Sequence, residues 1–284
     1  MKRTRFGWMG VWLAVGAVHA DPPRVVTVGG AVTEIVYALG AGAQVVAVDQ
    51  TSVHPMEATR LPNIGYLRNL SAEPVLALQP DLVLLSAEAG PPDAVAKIRA
   101  SGIPVVSVPS AHNAAGVLAK VHTLAAALQM SNAGDALARD LDTAFAAVRE
   151  MTDGLAAPRV LCLMSLGGGG LSVAGRDTAA DAFIALAGGR NVFDRHHGYR
   201  ALSPEILVDA APDFILVTAR SVAASGGVPA LLETPAMRAS GLTTTKLIVI
   251  DDAAALGFGP RLPAALTAVA ERFRQGGIQA ATAR

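Results

Sequence analysis

One unit of this sequence occurs twice, and that repeat limits the folds open to the chain. Leu70-Ser71-Ala72-Glu73 through Pro80-Asp81-Leu82-Val83-Leu84-Leu85-Ser86-Ala87 aligns without a gap on Leu202-Ser203-Pro204-Glu205 through Pro212-Asp213-Phe214-Ile215-Leu216-Val217-Thr218-Ala219. Each copy reads as a short helix opened by a glutamate, a Pro-Asp turn and an apolar run without alternation. Such a run is the pattern of a strand buried on both faces. Just upstream, Gly65-Tyr66-Leu67-Arg68-Asn69 answers Gly198-Tyr199-Arg200-Ala201, one residue shorter. Two βα lobes of related design are the simplest architecture that satisfies the repeat.

The rest of the chain alternates in the same way. Strands are expected over 24–28, 45–48, 82–85 and 105–108, with helices over 33–39, 94–100 and 115–130 between and after them. Residues 133–151 carry Leu137, Leu141, Phe145 and Val148 at 3–4 spacing with charges between, which predicts one long amphipathic helix. Gly154 and Pro158 end it. Strands then recur over 159–164, 214–217 and 247–250, with helices over 179–187 and 263–274. The expected fold is α/β: two Rossmann-like lobes, each with a central parallel sheet, joined by one long linking helix. Residues 21–130 form the first lobe, 131–155 the linking helix and 156–284 the second lobe. Ligands of open α/β sheets bind beyond the carboxyl ends of the strands, so the cleft between lobes is the expected site.

Residues 1–20 read differently. Lys2, Arg3 and Arg5 precede an apolar stretch, Phe6 to Val18, which is short for a bilayer span. Val18-His19-Ala20 supplies a small-x-Ala cleavage pattern, so an exported, periplasmic protein with a cleaved signal peptide is expected. No cysteine lies near the cut, which excludes lipidation there. Removal leaves 20 basic against 23 acidic residues, a net charge of −3. That balance offers no footprint for nucleic acid, and no later apolar run predicts stable membrane insertion. One cysteine, Cys162, excludes an intrachain disulfide framework.

Aromatic content makes the tyrosines informative. Both tryptophans, Trp8 and Trp12, lie in the signal segment, and only Tyr37, Tyr66 and Tyr199 remain as tyrosines. Tyr66 and Tyr199 occupy corresponding positions in polar loops before the repeated helices. They read as cleft-rim residues, with Arg68 and Arg200 beside them; packing with a hydrogen-bonded hydroxyl is the alternative.

The string Asn63-Ile64-Gly65-Tyr66-Leu67-Arg68-Asn69-Leu70-Ser71-Ala72-Glu73 resembles the signature of periplasmic haem-binding proteins of bacterial ABC haem importers. Residues 28–35, 173–181 and 256–261 also match that family's pattern, more loosely shared with cobalamin- and siderophore-binding relatives. The resemblance covers residues 24–274 and implies the same two-lobe fold. It implies that Tyr66 is the axial ligand of ferric haem, the transported ligand, and that no catalysis takes place. A phenolate is a hard anionic donor suited to Fe(III), and Arg68 would stabilise it or pair with a propionate. On the other lobe, His197 and Tyr199 are candidate haem contacts, and Arg261 faces a propionate or fixes the loop before the last helix. A histidine found in some relatives within the segment matching 163–170 is missing here. Glu73 and Glu205 match the acidic residues that dock on the two permease subunits; capping with Ser71 or Ser203 is compatible with that role. The implied partners are the permease and ATPase of an ABC importer, with haem handed on from an outer-membrane receptor.

Other chemistries find less support. Gly29-Gly30 lacks GxGxxG, and 167–170 lacks the Lys-Ser/Thr of a phosphate loop. No GxSxG elbow occurs, and Ser165, His112 and His122 show no partner, so both histidines read as helix-surface residues. His54, His196 and His197 lack zinc-site spacing. The rival reading is a binding protein for cobalamin or a ferric siderophore.

Overall fold

A computed structural model describes residues 22–154, 156–165, 170–239 and 246–282. The proposed signal segment, residues 1–20, and residues 166–169 of the Gly-rich run lie outside the described residues.

The first lobe is built from β1 (Val25–Val28), α1 (Gly30–Ala38), β2 (Val45–Val48), α2 (Ala72–Ala77), β3 (Leu82–Ser86), α3 (Pro92–Ala100), β4 (Val105–Val108) and α4 (Ala114–Ala127). Its sheet has the order β2-β1-β3-β4 and every pairing is parallel. The β-branched run of β1 is buried at all four positions, because helices cover both faces. Val26, Val28, Val83 and Leu85 face α2 and α3, whereas Val25 and Leu84 join the layer beneath α1 and α4.

A long helix, α5 (Ser131–Thr152), follows and packs on α4. It buries Ala138, Leu141, Phe145 and Val148 along one stripe, as its spacing predicts. Each large apolar side chain on that stripe contributes about 1.5–3 kcal/mol when fully buried.

The second lobe comprises β5 (Arg159–Ser165), β6 (Leu171–Ala174), α6 (Ala179–Leu186), β7 (Arg190–Asn191), β8 (Tyr199–Ala201), α7 (Pro204–Ala210), β9 (Phe214–Thr218), α8 (Ala219–Ala224), α9 (Val228–Leu232), α10 (Pro235–Ala239), β10 (Leu247–Ile250), α11 (Asp252–Leu256) and α12 (Leu262–Thr282). Its order is β10-β9-β5-β6-β8, with β7 also on β5. The β10-β9-β5 part is parallel, whereas β6 and β8 run antiparallel. The fold class is the one expected, but this sheet is mixed. Its antiparallel strands are too short and polar to be read from periodicity: Tyr199–Ala201 is exposed at all three residues.

The lobes share one apolar layer. It runs from β1 and α1 through α4 and α5 to α6 and α12, including Val121, Phe145, Phe183, Leu266 and Phe273. Cys162 lies within it, and burial pushes its thiol up to about 12, so it is an unreactive core residue. No helix among the described residues is long and apolar enough to cross a membrane.

Candidate functional site

Tyr66 stands at the end of the segment that follows β2. That segment is anchored to the sheet by a bridge between Val48 and Asn63, and Gln50 N–H donates to Gly65 O at 2.8 Å. Tyr66 is extended, and a 3₁₀ turn over Leu67–Asn69 begins immediately after it. Leu67 is buried and pins the turn, while Tyr66 is 39% exposed. The turn swings Arg68 back over Tyr66, and Arg68 Nη1 donates to the Tyr66 oxygen at 2.8 Å. The other fork nitrogen, Nη2, is ion-paired with Glu88, from the turn after β3.

Glu88 is therefore part of the Tyr66 site, and so is His112. His112 Nε2 lies 3.5 Å from Glu88 Oε1. The His112 contact and the charge of Arg68 outweigh desolvation and hold the Glu88 carboxyl down at about 2. His112 is half-buried in the loop before α4, not on a helix surface as expected. Its ring packs on Phe258 of the second lobe with centroids 5.0 Å apart.

Tyr199 opens β8, and its ring is 38% exposed. Burial is the first cause of a raised pKa at its hydroxyl, with the charges of Arg68 and Glu88 among the smaller influences. Tyr37, the remaining tyrosine, packs its ring beside Gly42, and burial raises its pKa. It is the packing tyrosine of the three.

His197 sits in an exposed chain of three side chains. Arg176 Nη2 meets its Nε2, and its Nδ1 meets Asp177. Since Arg176 can only donate, Nε2 accepts and Nδ1 carries the proton to the carboxylate. Backbone bonds hold the two loops together: Arg176 N–H donates to His196 O, and Gly198 N–H to Arg176 O. Gly175 permits this approach, since a Cβ there would lie 2.1 Å from His196 O. His196 turns away onto Phe193, at 4.4 Å between ring centres.

Arg261 crosses between the lobes. Its Nε and Nη2 donate to Glu34 Oε2 and Oε1 at 3.1 and 2.6 Å, a two-pronged pairing with α1 of the first lobe. Nη1 reaches Asp251 at 3.3 Å. Of the two expectations for Arg261, fixing the loop before the last helix agrees with these bonds. Beside it, Lys120 of α4 is buried and donates to Phe258 O at 3.0 Å. Desolvation lowers the Lys120 pKa to about 8. Sequence reasoning missed Glu34, Glu88 and Lys120. Glu34 and Lys120 left a signal, as charged residues on helix faces otherwise made of Ile35 and Val36, or Val117, Val121 and Leu124. Glu88 left none.

Glu73 and Glu205 occupy matching places in the first turns of α2 and α7, and both are exposed. Neither Ser71 nor Ser203 makes a capping bond to its helix. The Ser203 hydroxyl and the Glu205 backbone N–H both favour ionised Glu205 and lower its pKa. Glu73 borders a groove of about 770 Å³ lined also by Leu70, Leu76, Pro91 and Lys97. No cluster of three or more His, Cys, Asp or Glu side chains among the described residues is arranged to hold a bare metal ion.

Two solved structures are similar along nearly the whole chain. The periplasmic haem-binding protein BhuT, in complex with two haems, is 40% identical with a TM-score of 0.82; the match covers 89% of this chain and 98% of that one. The periplasmic haem-binding protein RhuT from Roseiflexus sp. RS-1, in apo form, is 38% identical with a TM-score of 0.84, covering 90% and 99%. A curated relative bears another name: the vitamin B12-binding protein of Pectobacterium carotovorum subsp. carotovorum (strain PC1) is 26% identical over 211 residues, 74% of this chain and 76% of its own. The family described as periplasmic binding protein matches residues 25–254. The chain belongs to that family of substrate-binding proteins, which carry solutes and are not enzymes.

Proposed function

We propose that this protein captures ferric haem in the cleft between its lobes and delivers it to an ABC importer. The observation that carries the reading is the Tyr66 oxygen, held at 2.8 Å by Arg68 on an exposed rim. A phenolate oxygen is a hard anionic donor of the kind ferric iron takes, and coordination favours the deprotonated form of such a ligand. Tyr199 supplies an aromatic surface from the other lobe, and His197, with Arg176, supplies polar groups at the same rim. Arg261 acts at the joint between the lobes. Similarity at 40% and 38% identity to two proteins named as haem-binding supports the ligand class.

The accompanying proposals concern route and partners. Residues 1–20 direct export to the periplasm and are removed, leaving lobes over 21–130 and 156–284 with the helix of 131–155 between them. Glu73 and Glu205, one on each lobe, dock on the two permease subunits, and the ATPase of the importer drives release. An outer-membrane receptor supplies the haem.

Cobalamin is the second reading, because curated relatives at 26% and 27% identity are named vitamin B12-binding proteins. Titration of the purified protein with hemin and, separately, with cyanocobalamin distinguishes the two. A Soret band with a high-spin ferric phenolate spectrum at stoichiometric hemin, lost in Tyr66→Ala, supports haem. Saturable cobalamin binding without a hemin-dependent Soret change overturns it.

A further inference from the structure

The Tyr66–Arg68 pair does not hold itself in place. Arginine is a long side chain with many rotamers to lose, and the Arg68 side chain is 57% exposed. Such a side chain keeps its fork on a phenol oxygen only if a second group fixes it. Glu88 is that group: one carboxylate oxygen takes Arg68 Nη2, and the other faces His112 Nε2. Glu88 stays ionised far below neutral pH, so the anchor persists across physiological conditions. His112 in turn lies against the ring of Phe258, whose side chain is fully buried.

Phe258 belongs to the loop between α11 and α12, in the second lobe. It adopts a left-handed backbone (φ 52°), which is strained for a non-glycine residue and persists only where surroundings enforce it. Here they come from the first lobe: Lys120 bonds to the Phe258 carbonyl, and Arg261, three residues on, is paired with Glu34. The same loop touches α1, since a Cβ on Gly259 would lie 3.2 Å from Glu34 Oε2.

We infer that Glu88 and His112 are positioning residues for the iron ligand, and that the chain Tyr66–Arg68–Glu88–His112–Phe258 couples the placement of the Tyr66 oxygen to the joint between the lobes. The inference rests on the haem reading above. With the joint intact, His112 steadies Glu88, Glu88 steadies Arg68, and Arg68 holds the Tyr66 oxygen in place. A displacement of the Phe258 loop loosens His112 and frees Arg68, which leaves the Tyr66 oxygen without the bond that holds it in place and favours release. Packed interfaces switch between discrete arrangements and do not deform smoothly, so a small lobe shift suffices.

The test compares hemin complexes of the full chain and of Glu88→Gln, His112→Gln, His112→Phe and Phe258→Leu. Two readouts serve: the phenolate-to-iron charge-transfer band, and the rate of hemin transfer to excess apomyoglobin. Glu88→Gln and His112→Gln are expected to shift the band and to speed transfer about tenfold, the lower end of what residues supporting a metal ligand contribute. His112→Phe keeps the ring on Phe258 but loses the nitrogen facing Glu88, and is expected to behave like His112→Gln. Phe258→Leu is expected to shift the band although its side chain is buried away from the cleft. Wild-type band and rate in Glu88→Gln and both His112 variants overturn the inference. A shift in Glu88→Gln alone overturns the coupling to the second lobe. Absence of a Soret band in the wild-type protein overturns the haem reading itself, and is thereby distinguished from failure of the coupling.

Discussion

The Tyr66 turn and the Tyr199 strand occupy matching places in the repeated string, yet they present their side chains differently. In the first lobe Tyr and Arg stand two apart across a 3₁₀ turn, and the arginine folds back onto the phenol oxygen. In the second lobe one residue is missing, so Tyr199 and Arg200 are adjacent on a strand paired with β6. Successive strand residues point to opposite faces, so Arg200 cannot take the position that Arg68 takes. Tyr199 keeps a hydroxyl whose pKa is raised chiefly by burial. A one-residue difference thus separates a turn that folds its arginine onto the tyrosine from a strand that does not.

The widest separation between the two lobes is expected from the tyrosines themselves. Tyr66→Ala abolishes the hemin Soret band at stoichiometric ligand, whereas Tyr199→Phe retains it; equal losses in an absorption titration would erase the distinction. Next in size is the contrast between ion pairs. Glu34 is almost wholly buried, so Arg261→Met strands a carboxylate and lowers stability by about 3 kcal/mol in urea denaturation. Arg220→Met, which breaks the exposed pair with Asp252 inside the second lobe, changes it by less than about 1 kcal/mol.

A pH effect sharpens the role of the joint. Lys120 titrates near 8 when folded and near 10.5 when unfolded, so between those values the unfolded chain binds more protons. Its contribution therefore makes stability rise with pH in that window. Lys120→Met should remove this rise, seen as a wild-type-minus-variant difference; a difference flat from pH 8 to 10.5 would falsify the assignment. Smallest in stability is Glu73→Ala with Glu205→Ala, exposed changes expected to stay within about 0.5 kcal/mol. Haem binding should persist in that double variant while transport by a reconstituted importer fails; normal transport rejects the docking role.

Much of the architecture was legible. Strands β2, β4 and β10 lie over the residues expected, and β1, β3, β5 and β9 within one residue of them, because β-branched runs bounded by turns leave a strong local signal. The long α5 was legible from its apolar stripe. Strands β6 and β8 were not: four and three residues of mixed polarity carry no period, and their pairing is decided by the sheet edge they meet. His112 was misplaced because its partners, Glu88 and Phe258, lie 24 and 146 positions away.

The sequence alone determined the βα repeat, the two-lobe plan and Tyr66 as the distinctive side chain, since these depend on neighbours within a turn or a strand. Only the tertiary structure decided that Arg261 meets Glu34, 227 positions away, and that Glu88 and His112 stand behind Arg68. Contacts between lobes join segments with no shared local pattern, and burial selects a partner only after the chain has folded.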